Sequence, residues 1–165
     1  MKKIFSYLFL AIIFLSCLFG IYYITSPQKN RQYNNFVNIP PSEGINLIDS
    51  KKQGVYYIGY PECPWCRELE PLLAEEISSS KKIYSINIHD KGFTKHAQFK
   101  LDKIYSEYYN DELTVPLLIS INSKQEIITH VGTVPGHNAK INKLSKSEKE
   151  RLIKKIRSLI NWSSQ

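Results

Sequence analysis

Two cysteines three positions apart constrain the fold of this chain more than any other feature of its sequence. Cys63 and Cys66 enclose a Pro-Trp dipeptide and follow the β-branched and aromatic run at residues 55–58, which is typical of a buried strand. Pro64 suits the first position of a helix, where its missing N–H would have no partner. A helix N-terminus lowers the pKa of a nearby thiol and so favours the reactive thiolate. The spacing therefore predicts a reversible dithiol–disulfide pair at a strand–helix junction.

A structural or metal-binding role fits the cysteine pair less well. A fixed structural disulfide would close so short a loop that it would stabilise the fold little. One such pair cannot complete a four-cysteine zinc site, and the third cysteine, Cys17, lies in an apolar N-terminal run. We therefore expect no metal and no cofactor beyond the disulfide itself. The four histidines do not stand at zinc-finger spacing from the pair; they are His89, His96, His130 and His137.

The residues around the pair suggest a division of roles. Cys63 is expected in the first turn of the helix with its sulfur exposed, as the attacking thiolate. Cys66 is expected one turn further on, more buried, as the resolving thiol. Trp65, half-exposed, would cover the sulfurs and shape a groove for a partner, with Pro64 supporting the turn. Glu62 would either raise the pKa of Cys63 or be a solvated surface charge.

A proline marks a second candidate position. Pro116 follows Thr114 and Val115 and stands directly before the apolar run at residues 117–121. A proline there indicates a special turn, or else an ordinary trans proline on an edge strand. In the first case the turn would place backbone beside the Cys63 sulfur. His137, in a loop rich in glycine and proline, is expected to be solvated.

The N-terminal segment is predicted to anchor the chain in a membrane. Lys2 and Lys3 precede 21 residues without a charge at 4–24, close to the roughly 20 that span a bilayer as a helix. By the positive-inside rule the rest of the chain would lie outside the cytoplasm, where disulfides persist. A cleaved signal peptide and lipidation of Cys17 are the alternatives to an uncleaved signal anchor.

Patterning divides the chain into an anchor at 1–25, a polar tether at 26–35 and one domain at 36–165. We expect the domain elements in the order βα, βα, βα, ββ, α, which predicts an α/β fold with a mixed central sheet flanked by helices. Among the details, Gly54 should cap the first helix, Tyr108 should share the buried face of a helix at 95–109, and Pro71 should kink the helix after the cysteines. Ser145 and Glu148 fit a capping box for the last helix.

The charge balance argues against a nucleic-acid partner. The formal net charge is +7, but the lysines are scattered and form no arginine-rich stripe. A solvated basic surface accounts for this composition.

Together these residues resemble a known family. The CPWC run, Pro71 five residues after Cys66, the Thr114-Val115-Pro116 turn and the terminal hairpin and helix are similar to the thioredoxin superfamily, over residues 36–160. The resemblance implies a thioredoxin-like fold, a cis bond before Pro116 and pairing of the Val115 backbone with a bound substrate chain.

Within that superfamily, Pro-Glu-Cys-Pro-Trp-Cys-Arg after an N-terminal anchor resembles the bacteriocin transport accessory proteins of Gram-positive bacteria. These are implicated in forming the disulfides of small secreted antimicrobial peptides. One departure matters: where many thioredoxins carry a buried acid on the strand before the motif, this chain has Tyr57. Either Glu62 or water would then accept the proton of Cys66, or its transfer would be less assisted.

The sequence thus predicts a single-pass membrane protein whose catalytic domain is extracytoplasmic. It would form or isomerise disulfides in exported cysteine-containing peptides, with a further redox partner to recycle the pair. Two alternatives stay open: an extracytoplasmic thioredoxin-like reductase, and a non-catalytic module that holds a peptide for export.

Overall fold

The described part of the chain is almost entirely the predicted domain. A computed structural model describes Ser16 and residues 33–77 and 81–165. The predicted membrane helix, apart from Ser16, and most of the predicted tether lie outside the described residues. Within the described residues, no helix has the length and apolar character needed to cross a membrane. Asn35, at the end of the predicted tether, donates a hydrogen bond from its side chain to the Ile77 carbonyl at 3.3 Å.

A mixed sheet of five strands forms the centre of the described residues. The strands are β1 (Phe36–Asn38), β2 (Gly54–Gly59), β3 (Ile83–Asn87), β4 (Leu117–Ile121) and β5 (Ile127–Val131). Their order across the sheet is β1-β3-β2-β4-β5. Strand β3 is parallel to both β1 and β2, whereas β4 is antiparallel to both β2 and β5. The predicted mixed sheet is confirmed, and this arrangement is compatible with a thioredoxin-like fold.

Four helices cover the two faces of the sheet. They are α1 (Pro41–Asp49), α2 (Pro64–Glu76), α3 (Lys95–Ser106) and α4 (Lys146–Trp162). Helices α1 and α3 contribute apolar side chains to one core, and α2 and α4 contribute to the other. Strand β2 supplies both cores, because Val55 and Tyr57 point to the α2 side while Tyr56 and Ile58 point to the α1 side. A strand buried on both faces needs the continuous apolar run that the sequence shows.

The register of β2 places the two predicted motifs together. Ile58, near the end of β2, pairs with Leu117, the first residue of β4. The chain leaving β2 therefore runs to Cys63 at the same edge where Pro116 leads into β4. Two segments that are about fifty residues apart in sequence meet at this edge of the sheet.

The end of the first helix differs from the prediction. The C-cap is Ser50, and the left-handed residue after it is Lys51, with φ 53°. The Lys51 N–H donates to the Ile48 carbonyl and the Lys52 N–H to the Leu47 carbonyl, which is a Schellman pattern. Gly54 instead begins β2, so its predicted capping role is wrong. The helix ends earlier because the chain must turn before it enters the central strand.

Helix α3 is also shorter than predicted. It ends at Ser106, and Tyr108 is 39% exposed rather than part of the buried face. Tyr105 takes that place: it is buried, stacks on Tyr109 at 4.7 Å and donates a hydrogen bond to Asp111 at 3.0 Å. By contrast, the capping box of Ser145 and Glu148 is confirmed. Helix α2 continues through Pro71, and the kink expected there stays a prediction.

Candidate active site

Cys63 is the N-cap of α2. Its sulfur accepts a hydrogen bond from the Cys66 backbone N–H at 3.3 Å, and Pro64 occupies the start of the helix as predicted. The same sulfur lies 3.9 Å from the Val115 carbonyl oxygen. The first turn of α2 and the segment before β4 therefore meet at this one atom.

Both sulfurs are more enclosed than the sequence indicated. Cys63 is 2% exposed and Cys66 is fully buried, and both are free thiols. The predicted exposure of Cys63 is wrong, because its sulfur is directed at the first turn of α2, where it accepts the hydrogen bond from the Cys66 N–H. Trp65 and Val115 pack against the same cluster of buried residues. Trp65 and Val115 therefore help to enclose the two sulfurs.

The two thiols have opposite acidities. Hydrogen bonding from the Cys66 thiol, helped by the backbone N–H groups of Cys66 and Trp65, lowers the pKa of Cys63 to about 7 against the effect of burial. The pKa of Cys66 is raised, first because its proton is held by Cys63 and then because it is buried. At neutral pH Cys63 is therefore partly thiolate, whereas Cys66 beside it stays protonated.

The segment before β4 has the geometry that the resemblance implied. The Val115–Pro116 peptide bond is cis. The Pro116 carbonyl accepts a hydrogen bond from the Gly132 N–H at 2.8 Å, which joins this turn to the end of β5. Thr114 is exposed, and its hydroxyl donates to the Glu112 carbonyl at 3.1 Å. The Thr114 hydroxyl is thus hydrogen-bonded within its own segment, and it is the Val115 carbonyl that lies beside the Cys63 sulfur.

Trp65, which lies between the two cysteines in sequence, borders a groove whose lining includes neither of them. It is half-buried, as predicted, and its indole N–H donates to the His137 carbonyl at 3.2 Å. The Lys140 ammonium lies 5.8 Å from the centre of the ring. The groove has a volume of about 450 Å³ and its lining includes Trp65, Val131, Thr133, Val134, Pro135 and His137. Its walls are mainly apolar, with the indole at one side.

His137 is a partner of a buried acid. Its side chain is 3% exposed, and its Nε2 lies 2.6 Å from Oε2 of Glu68, whose side chain is 7% exposed. The expectation of a solvated His137 is therefore wrong. The loop folds back onto α2, which brings the histidine against the carboxylate, and Glu148 lies 3.9 Å from its other nitrogen. No sequence signal reveals this pair, because it depends on how a long loop packs.

Glu62 does not act on the cysteine sulfurs. Its side chain is 67% exposed and lies 3.6 Å from Nδ1 of His89. The carboxylate that raises the pKa of Cys63 is instead Glu70, on α2. Of the two roles considered for Glu62, the solvated surface charge is the one that the geometry supports.

Tyr57 and Glu70 lie behind Cys66. The Tyr57 hydroxyl donates a hydrogen bond of 2.7 Å to Oε1 of Glu70. The same hydroxyl lies close to the Cys66 sulfur, since a Cβ built on Gly59 would be 2.5 Å from the one and 2.9 Å from the other. Sequence reasoning singled out Tyr57 but missed Glu70. The signal that could have found it was spacing, since Cys66 and Glu70 are four residues apart and so share one face of α2.

Within the described residues, no group of three His, Cys, Asp or Glu side chains could hold a metal ion.

Comparison with known proteins adds no family assignment. A scan against protein-family models finds none that matches this chain, and a search of curated proteins finds no match. The functional argument therefore depends on the geometry of the site.

Proposed function

We propose that this protein is a thiol–disulfide oxidoreductase with a thioredoxin-like fold. The observation that carries the proposal is the unequal cysteine pair: Cys63 caps α2 with a pKa lowered to about 7, and Cys66 beside it is held as a thiol. Such an asymmetry suits exchange, because one sulfur attacks or leaves readily while the other stays protonated until it is needed. A purely structural pair would gain nothing from it.

The exchange reaction follows from this arrangement. In the oxidising direction a substrate thiolate attacks Cys63 of the Cys63–Cys66 disulfide. The Cys63–substrate bond forms, the Cys63–Cys66 bond breaks, and Cys66 leaves with the electron pair and takes up a proton. A second substrate thiolate then attacks the substrate sulfur and releases Cys63 as a thiolate. The substrate loses two electrons and the protein gains them.

The surroundings of Cys63 suit an extended peptide as substrate. The Val115 carbonyl beside the sulfur is a hydrogen-bond acceptor for a peptide N–H, and the groove beside Trp65 offers an apolar wall for side chains. The proposed substrates are exported cysteine-containing peptides, bacteriocins among them, with a further partner that recycles the pair. This part of the proposal depends on the charge and hydropathy of residues 1–25, which favour a single-pass anchor with the domain outside the cytoplasm.

The acidity of Cys63 favours a second candidate, an extracytoplasmic reductase. In thioredoxin the attacking cysteine has a pKa of about 7, whereas in a strongly oxidising relative it is about 3.5. A lower pKa stabilises the reduced pair and makes the disulfide a stronger oxidant. Cys63, with a pKa of about 7, matches the less oxidising case.

The reduction potential of the Cys63–Cys66 couple decides between the two directions. The full-length protein in detergent would be equilibrated with glutathione buffers and the reduced fraction measured by thiol trapping. A potential between about −120 and −200 mV supports disulfide formation or isomerisation, and one near about −270 mV supports the reductase.

Cysteine variants test whether exchange chemistry is the function at all. Cys63→Ser should abolish turnover, and Cys66→Ser should accumulate mixed disulfides with substrate. If the double variant still supported export of active peptide, the protein would be a binding module and the proposal would fail.

A further inference from the structure

Cys66 must lose a proton whenever it resolves a mixed disulfide, and the structure restricts where that proton can go. The residue is fully buried, so bulk water does not reach its sulfur. Glu62, next to the motif in sequence, is directed to the surface. The Tyr57 hydroxyl lies close to the Cys66 sulfur, because a Cβ built on Gly59 would be 2.5 Å from the hydroxyl oxygen and 2.9 Å from the sulfur.

Sheet and helix geometry hold this contact in place. Tyr57 lies on β2, which pairs with a strand on each side, and its side chain is 2% exposed. Gly59 allows the close approach: a Cβ there would be 2.5 Å from the Tyr57 hydroxyl oxygen and 2.9 Å from the Cys66 sulfur. The hydroxyl in turn donates to Glu70 at 2.7 Å. Cys66, Tyr57 and Glu70 thus lie in a row from the buried thiol to a half-buried carboxylate, with a hydrogen bond between Tyr57 and Glu70.

We propose that Tyr57 and Glu70 are the proton acceptor of Cys66, with Tyr57 as the catalytic residue in contact with the thiol and Glu70 as the positioning residue that receives the proton through it. This inference rests on the proposed exchange function. The row takes over the part that a buried acid on β2 would otherwise have.

The proton balance of the step is complete. As Cys66 attacks the Cys63 sulfur of a mixed disulfide, its proton moves to the Tyr57 oxygen and the Tyr57 proton moves to Glu70 Oε1. The Cys63–Cys66 bond forms, the bond from Cys63 to the substrate breaks, and the electron pair leaves with the substrate thiolate. In the opposite direction Glu70 returns the proton by the same route to the departing Cys66.

Tyr57 cannot be the final acceptor. Burial, together with the charges of Cys66 and Glu70, raises the pKa of its phenol well above the usual value, so it remains protonated. It can nevertheless relay a proton, because its oxygen accepts one as it releases another. The two cysteine thiols act on each other, and the other titratable groups that interact with one or both of them are Tyr57, Tyr60 and Glu70.

The resolving step can be isolated with an aromatic disulfide. The reduced full-length protein in detergent is mixed with 5,5′-dithiobis(2-nitrobenzoate) in a stopped-flow instrument, with Cys17→Ser introduced in every protein compared so that Cys63 and Cys66 are its only thiols. Attack by Cys63 releases the first chromophore in a concentration-dependent phase. Attack by Cys66 on the resulting mixed disulfide releases the second in a first-order phase, so the first phase is an internal control for Cys63.

Three variants are compared with the wild type between pH 6 and 9. Glu70→Gln and Tyr57→Phe should slow the second phase at pH 7 on the order of 10²-fold, the lower range for general base catalysis. Their rates should also rise about tenfold per pH unit, because Cys66 would then ionise before it attacks. The wild-type second phase should vary little with pH. Glu75→Gln, on the exposed side of the same helix with the same charge change, should match the wild type.

The pH slope separates proton transfer from a structural effect. If Glu70→Gln and Tyr57→Phe are folded and keep the wild-type rate within twofold and the wild-type slope, the relay is refuted while the exchange function stands. If Glu70→Gln does not fold, Tyr57→Phe decides, and Glu70→Asp should retain the flat profile. If the wild type releases only one chromophore, both the relay and the proposed function fail.

Discussion

Gly59 is a position where one added methyl group should destabilise the protein. A Cβ there would lie 2.5 Å from the Tyr57 oxygen, 2.8 Å from its Cζ and 2.9 Å from the Cys66 sulfur. Atoms in contact are separated by about 3.5–4.0 Å, so the ring would have to move by about 1 Å. Tyr57 and Cys66 are both buried and have no solvent to move into. Overpacking of this kind costs about 1–3 kcal/mol. We expect Gly59→Ala to lower the free energy of unfolding by about 2 kcal/mol.

The measurement is a urea titration of the reduced full-length protein in detergent, followed by tryptophan fluorescence from Trp65 and Trp162. With a slope of about 1–3 kcal/mol/M, a loss of about 2 kcal/mol lowers the midpoint by about 1 M. Gly92→Ala is the milder control, because its Cβ would meet the exposed Asp90 carboxylate at 3.2 Å and the Pro41 ring at 3.3 Å, which shifts of a few tenths of an ångström would relieve. Its effect should stay within about 0.5 kcal/mol.

The same substitution should disturb chemistry as well as stability. Displacing the Tyr57 ring lengthens its contacts with Cys66 and Glu70, so the second chromophore phase should slow while the first keeps its rate. A Gly59→Ala protein with the wild-type midpoint and wild-type second phase would show that the packing argument is mistaken.

Three further predictions concern acidity and helix ends. Alkylation of Cys63 by iodoacetamide should rise with pH and reach half its maximum near pH 7, since the thiolate reacts and its pKa is about 7; Cys66 should stay unmodified over this range, as peptide mass mapping would show. Lys51→Gly should raise the free energy of unfolding by about 0.5–1 kcal/mol because it relieves a left-handed residue, whereas Lys52→Gly should lower it; an equal effect of both in urea titrations would contradict this. Ser145→Ala should cost about 1 kcal/mol in the same titration through loss of the capping box, and no loss would count against that role.

Local patterns predicted most of the fold. The buried strand at residues 55–58, the hairpin after Pro116 and the capping box at Ser145 all follow from hydrophobic period and capping chemistry. Where a prediction from the local sequence was wrong, the packing of the whole domain determined the local structure instead. Lys51 takes the left-handed position that glycine prefers, since the entry into β2 determines where the chain turns.

Of the candidate site, only the two cysteines and the segment that lies against Cys63 could be predicted from the sequence. The motif located Cys63 and Cys66, and its expected neighbour Val115 is where the resemblance implied. Glu62 and Glu70 are each four residues from Cys66, but Glu62 lies before the helix whereas Glu70 lies on it, one turn after Cys66. The start of the helix, and not the separation in sequence, therefore determines which carboxylate lies behind Cys66.

The buried pair of His137 and Glu68 shows a limit of another kind. Both residue types are usually solvated, and nothing in their local sequence indicates otherwise. Their contact depends on the loop after β5 lying against α2, which is a property of the whole fold.

The order of the strands has a consequence for local unfolding. In the described sheet, β1 pairs only with β3 and β5 pairs only with β4, whereas β2 has a partner on each side. Amide hydrogens should therefore exchange first at the two edges and last in β2. Opening at β1 would remove Phe36 from the Tyr57 ring, whose centre is 5.7 Å away in the core that also holds the cysteines. Opening at β5 would carry away the loop whose His137 carbonyl holds the indole of Trp65. Fraying at β1 would therefore loosen the packing of Tyr57 behind Cys66, and fraying at β5 would release the indole that packs beside both cysteines.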